Sequence, residues 1–510
     1  MTTSTEPETT VIEKSPAPAP STSDRVLAPV RALTRRFGAA TVAFAVIATV
    51  FGALFAVLTP PFWGHDELTQ FGRAYQVAHG GVLPQRIDDD RGVAFGGQIP
   101  VSVDELMGYA FRDYNDNPEE PGAMVADPGA YDRLGAAEIS STTQQMWFTN
   151  TAAYSPVPYV PAAVGIRLGE ALGLNVGGMY LLTRLAGLVA YLGVVGFGLY
   201  ALRERRSQWL VFTVAVLPIA LFQAGTVTAD TLTNALAIMV SALLLKALFV
   251  GDRLRPVETG ALLAATIALP LSKPTYVLLA MLVVIVPADR LGFTGKLKWI
   301  PWAFAAVGGA LFLTWTKIAS ATGDGMSLMR PPHQWGQVRP ADQLKGILGD
   351  PAQFVHTFGE SIALRDHRWF SQFFGELGFA YVDVPAVSML ACLIAFAVSF
   401  GIADRMSTVT ATFRRTLIVA LTVLASVAMI YVTLYMSFTP VDFYLIDGVQ
   451  GRYFVPLAIV GLAVVARWVP LRLTDAEGVI PTRGTAITVT CASLFALIAA
   501  AATYYTVVWG

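Results

Sequence analysis

Charge is what this 510-residue chain is short of. Only 14% of its residues are Asp, Glu, Lys or Arg while 54% are hydrophobic; soluble globular domains carry about 25% charged residues. A soluble chain is thereby excluded. Many separate apolar runs approach the roughly 20 residues that cross a bilayer, so the sequence predicts an all-α integral membrane protein. Cysteine is almost missing: Cys392 and Cys491 both sit inside apolar runs, which excludes a disulfide framework or a cysteine zinc site. Histidine is also scarce. His65, His79, His333, His356 and His367 include no pair at ligand spacing on a helix, so no metal site is expected. The net charge of −1 identifies no partner, because the charges are segregated along the chain. The lipid bilayer is the expected surrounding, and no nucleic acid is expected.

What is present has a clear order. Residues 1–30 are rich in Pro, Ser, Thr and Glu, and Arg31, Arg35 and Arg36 follow. This predicts a disordered cytoplasmic tail over 1–37, ahead of a single multispanning domain over 38–510. The polar lead is too long for a signal peptide, and the apolar run 39–58 is long enough to span. Further runs lie near 178–202, 207–224, 229–250, 257–271, 274–288, 299–319, 386–403, 412–436, 452–469 and 485–508. About eleven transmembrane helices result. Alternate loops are basic, with Arg203, Arg205 and Arg206 in one, Lys246, Arg253 and Arg255 in the next, and similar clusters after that. The positive-inside rule puts these loops and the N-terminus in the cytoplasm of a multi-pass plasma-membrane protein, with the C-terminus outside. The proline-rich stretch 154–175 would spoil the alternation if it crossed, so it is expected as a juxtamembrane helix. Two long extracytoplasmic loops remain, 60–177 and 320–385.

The acidic pair Asp66-Glu67 comes directly after the first span and its Pro60-Pro61 break. Charge at a membrane surface is costly unless solvated or used. Leu68, Phe71, Tyr75 and Ala78 recur at helical spacing behind it, ending at Gly80-Gly81. Asp66 could therefore be an N-cap, with Glu67 favouring the helix dipole. A general base is the other reading. The expected topology brings further polar residues to the same outer level: Asp230, Lys273, Glu376, Asp383, Asp447, Gln450 and Arg452. Lys273 and Arg452 suit a phosphate, Arg through a two-pronged contact and Lys as a point charge; snorkelling to headgroups is the plainer alternative. In the second outer loop, Trp335, Trp369, Phe370, Phe373 and Phe374 could close over a sugar or anchor the loop at the interface.

Several stretches together resemble a known family. They are Asp66-Glu67 with Arg73-Ala74-Tyr75 and Gly80; Thr228-Ala229-Asp230 with Asn234; Lys273-Pro274-Thr275-Tyr276; Gly375-Glu376-Leu377-Gly378 with Asp383; and Gly448-Val449-Gln450-Gly451-Arg452-Tyr453-Phe454-Val455-Pro456. Over residues 60 to 460 they resemble a bacterial family of multispanning membrane proteins of unknown function, itself similar to the GT-C superfamily of polyprenyl-phosphate-sugar glycosyltransferases. The resemblance implies a GT-C-like bundle that moves a sugar from a polyprenyl-phosphate donor to a cell-envelope glycan or glycolipid, with no further cofactor. Asp66 and Glu67 would be catalytic. Arg73, Tyr75, Asp230, Lys273, Tyr276, Glu376, Asp383, Gln450, Arg452 and Tyr453 would bind substrate. One position departs from the pattern: Gln70 stands where the family often has His. Two other functions remain open, a transporter or flippase of lipid-linked glycans and a non-catalytic envelope-assembly scaffold. Transporters usually hold charges near the midplane and show inverted repeats; here mid-span charge is almost absent and no repeat is evident.

Overall fold

A computed structural model describes residues 22–89, 92–115, 124–379, 381–473 and 482–510. Most of the expected N-terminal tail lies outside the described residues. Its last part differs from expectation, because Thr22–Phe37 is a helix (α1). Arg35 and Arg36 stand in its last turn, where positive charge suits the helix dipole.

Helix α2 (Ala39–Leu58) is the first of seven helices, among the described residues, long and apolar enough to cross a membrane. The chain then builds an outer layer. It contains α3 (Glu67–Ala78), strands β1 (Gln85–Asp89) and β2 (Gly92–Pro100), α4 (Val101–Asn115), α5 (Pro128–Gly135), strand β3 (Thr143–Trp147), α6 (Thr149–Ala152) and α7 (Val160–Ala171). The antiparallel sheet runs β1-β2-β3, with Gly96 opposite both Gln85 and Trp147. A side chain at Gly96 would sit 1.9 Å from the Met146 carbonyl, so only glycine allows the strands to close. This sheet corrects the expectation of a wholly helical chain. The short α7, of 12 residues, packs along α8 (Val176–Ala201).

The rest of the bundle continues with α9 (Gln208–Ala215), α10 (Pro218–Ala224), α11 (Ala229–Leu244), α12 (Pro256–Ser272), α13 (Val277–Met281) and α14 (Ile300–Ala319). A second outer layer holds α15 (Pro340–Gly349), α16 (Pro351–Phe374) and a two-stranded ladder, β4 (Glu376–Leu377) with β5 (Val382–Asp383). Helices α17 (Ala386–Ile402), α18 (Phe413–Ser437), α19 (Val455–Trp468) and α20 (Thr482–Trp509) complete it.

The eleven apolar runs are all helical, yet among the described residues seven helices have spanning length. The run 207–224 breaks because Pro218 cannot donate to the preceding turn. Both halves are buried in the protein, where a broken backbone is tolerated without facing lipid. Helix α11 with its extension to Val250 is the centre of the bundle, 94% of its apolar window being buried. Helices α8, α12 and α19 pack around it.

Candidate functional site

The site begins at the elbow between α2 and α3. Phe62 and Asp66 are both left-handed, at φ 68° and 52°. Such conformations cost about 1–3 kcal/mol each and persist only where the surroundings impose them. Here the Tyr180 hydroxyl accepts from the Phe62 N–H (2.8 Å), and the Trp63 indole donates to Tyr131 (2.9 Å), which donates to Asp113 (3.0 Å). Asp66 occupies the N-cap position but makes no capping bond. Its side chain is 41% exposed.

Glu67 differs in every respect from its neighbour. It is fully buried and paired with Arg184, which donates from Nε (2.9 Å) and Nη2 (2.7 Å). The N–H groups of Gly64 (2.8 Å) and Val227 (2.7 Å) also donate to it. Arg184 further donates to the carbonyls of Ala56, Thr59 and Pro60. This network ties the elbow to α8 and to the chain entering α11. Arg184 lies inside a predicted span, and a lone charge there signals function or pairing; the partner could not be read from spacing.

Four of the expected residues meet beside Asp66. Asp230, in the first turn of α11, accepts from Lys273 Nζ (2.6 Å) and Gln223 (2.9 Å). Lys273 ends α12 and lies 4.2 Å from the centre of the Tyr453 ring. Arg452 is buried, with Nη2 at 3.5 Å from Asp66 and Nε at 3.8 Å from Asp230. Those separations are ion pairs, longer than hydrogen bonds. Among the described residues, Arg452 Nε and Nη1 have no hydrogen-bond partner. Buried donors are nearly always bonded, so these two N–H groups point to a ligand.

The surroundings explain why Arg452 stands there. Gly451 donates its N–H to Gln372 (2.9 Å), and the Trp369 indole donates to the Val449 carbonyl (2.9 Å). A side chain on Gly451 would come within 2.0 Å of the Trp369 carbonyl, so α16 clamps this strand only if it carries glycine. The buried aromatic Trp369 thus positions Arg452. Gln450 Oε1 is buried without a partner. The Tyr276 hydroxyl donates to the Tyr453 carbonyl (2.8 Å).

His65, Tyr154 and Gln70 border the site without having been expected there, beside Glu376, which was. His65 is buried against the Phe222 ring, and its Nδ1 has no partner. Burial first, and the Arg452 charge second, hold its pKa well below the usual 6.5; a hydrogen bond to the Glu376 backbone acts against them. Burial pushes the Tyr154 phenol up to about 12, the Lys273 charge opposing. Glu376 accepts from Arg368 (3.2 Å) and Gln372 (2.7 Å), and burial raises its pKa. Gln70 accepts from the Tyr159 hydroxyl (2.6 Å) and the Ala229 N–H (3.2 Å), fastening α3 to the start of α11.

Three expected binding residues have other surroundings. Arg73 is buried and donates to Gln76 and to the carbonyls of Gly81, Val82 and Tyr154, which fixes the loop after α3. Tyr75 stacks on His79, with centroids 4.3 Å apart. Asp383 is exposed on β5, opposite Glu376. Asp447 is held below the usual carboxylate range: burial raises its pKa, but bonds from Arg365 and Arg330, both 2.8 Å, outweigh it. No cluster of three or more His, Cys, Asp or Glu residues that could hold a metal occurs among the described residues.

Fold and site together define a multispanning membrane protein with a polar centre at one end of its bundle. The chain belongs to a family described as "Predicted membrane protein (DUF2142)", whose model matches residues 49–460. That match takes in every residue of the polar centre. No curated protein and no solved structure matches the chain.

Proposed function

We propose that this protein is a GT-C-type glycosyltransferase of a bacterial plasma membrane, with about eleven spans, a cytoplasmic N-terminus and its polar centre on the outer face. The observation that carries the reading is the buried, under-bonded guanidinium of Arg452 beside the strained, half-exposed carboxylate of Asp66. The acceptor hydroxyl gives its proton to Asp66, and its oxygen bonds to the anomeric carbon of a polyprenyl-phosphate sugar. The bond from that carbon to the phosphate oxygen breaks, and the phosphate leaves with the electron pair. Arg452 meets the developing charge through its free N–H groups. Lys273 adds charge and takes the hydrogen bond of Asp230, which meets Arg452 only at ion-pair distance, 3.8 Å. Glu67 has no free role as a base, since its oxygens already accept four bonds.

The test is envelope glycan composition in cells lacking the gene and carrying single variants. Asp66→Asn keeps the size of the side chain but loses the proton acceptor, and general base catalysis contributes on the order of 10²–10⁴-fold. The glycan should therefore stay missing although the protein is inserted at normal level. Full restoration by Asp66→Asn would remove the catalytic assignment and leave transport or scaffolding.

A further inference from the structure

The opposite end of the bundle carries a second charged centre. It lies where α8 and α11 finish and α12 begins, whereas the Asp66 centre lies where α11 begins and α12 finishes. A cavity of about 560 Å³ opens there, lined by Arg203, Arg205, Lys246, Arg253 and Arg255 together with Glu204 and Asp252. Its construction is specific. Helix α11 ends in a π-helical segment, Leu245–Val250, a form found mostly at functional sites. The N–H groups of Gly251 and Asp252 both close onto the Lys246 carbonyl (3.0 Å each), and the buried Lys246 amine faces the cavity.

The internal pairing leaves a surplus. Glu258 is fully buried and accepts from Lys246 (2.9 and 3.0 Å) and from Arg255 Nε (2.7 Å). Asp252 takes two bonds from Arg205 (2.6 and 2.8 Å), and Glu204 pairs with Arg203 (2.9 Å). The guanidinium groups of Arg203 and Arg255 lie 4.5 and 4.9 Å from the Tyr200 ring centre, which fixes their planes. Arg253 has no ion-pair partner among the described residues. Five cations thus face three carboxylates, an excess of two positive charges around one cavity.

We propose that this pocket binds a phosphate group, carried either by an anionic lipid headgroup or by a small soluble phosphate compound. An excess of two charges matches a phosphate ester, and the free fork of Arg253 offers it a two-pronged contact. Basic pockets between helix ends bind lipid phosphates in this way.

The experiment uses the full chain in nanodiscs. One arm measures retention of phosphatidylglycerol or cardiolipin by native mass spectrometry. The other titrates inorganic pyrophosphate against protein in phosphatidylcholine alone, following the melting temperature. Arg253→Gln is exposed and unpaired, so it should fold normally and weaken binding about fivefold. Lys296→Gln with Lys298→Gln, in an exposed basic loop at the same end, should change neither arm. Retention of lipid alone identifies a headgroup site, and response to pyrophosphate identifies a soluble ligand. Equal binding by wild type and Arg253→Gln in both arms, or an equal loss in the Lys296 and Lys298 control, overturns the proposal and leaves general surface charge.

Discussion

Asp66 and Glu67 are neighbours in the chain, yet their amide variants should fail in opposite ways. Glu67→Gln removes the charge that faces buried Arg184 and replaces one of its two oxygens by an amide N–H₂, which then faces either the Gly64 or the Val227 N–H, itself a donor, together with one Arg184 N–H. Breaking a buried ion pair costs about 3–5 kcal/mol because it strands the remaining charge. Arg184 keeps its bonds to Ala56, Thr59 and Pro60, which places the loss near the lower limit, about 3 kcal/mol. Asp66→Asn costs less, since that side chain is half-exposed, makes no capping bond, and leaves Arg452 its ion pair with Asp230; its effect on stability should stay within about 1 kcal/mol. Unfolding of the purified protein in mixed detergent, titrated with dodecyl sulfate, measures both. Replacing Glu67 and Arg184 together by Met should recover much of the loss, because apolar replacement of a buried pair is often neutral. A Glu67→Gln protein as stable as wild type would refute the reasoning and return Glu67 to the list of free carboxylates.

His65 should make stability pH-dependent. Its depressed pKa means that the unfolded chain takes up a proton near 6.5 while the folded one does not; stability is therefore full above that value and falls as pH drops toward the folded pKa. Melting of His65→Gln between pH 7.5 and 5 should show a flatter slope than wild type. Asp66→Gly relieves a left-handed aspartate, so it should hold or raise the melting temperature while abolishing glycan transfer. A lower melting temperature would show that the elbow does not store strain. Gly451→Ala must displace the Trp369 carbonyl; a clear loss of stability and of transfer is expected, whereas wild-type behaviour would mean that α16 can move away. Cysteines at Leu83 and Val409, both exposed at opposite ends of the helices, should react with an impermeant maleimide from opposite sides of the membrane once Cys491 is removed. Labelling from one side would break the topology.

Hydropathy located every apolar helix, because burial in lipid or in protein needs the same composition. It could not tell the two apart, so it did not show that α9 and α10, which carry the chain back along the bundle, are enclosed by protein. The sheet β1-β2-β3 stayed hidden because Gln85–Asp89 is polar and Gly92–Pro100 lacks strict alternation. In the site, helix polarity alone was enough to bring Asp66, Asp230, Lys273 and Arg452 to one level. Which of them would be spent on each other was not legible. The Lys273–Asp230 bond and the Glu67–Arg184 pair depend on side-chain positions that no spacing encodes, and Tyr154 joins the centre through folding of a distant segment, whereas His65 and Gln223 are chain neighbours of Asp66 and Asp230.

The central position of α11 has a consequence for the order of biosynthesis. Asp230 and Lys273 are only 43 residues apart and can neutralise each other as soon as α11 and α12 meet. Arg452 is made much later, and its strand is held by α16, which must already lie in place. From then until Arg452 is made, the nascent chain carries a closed, neutral Asp230–Lys273 pair. The unbonded guanidinium N–H groups of Arg452 reach the centre only when α19 docks, so the two halves of the polar centre are completed in that order.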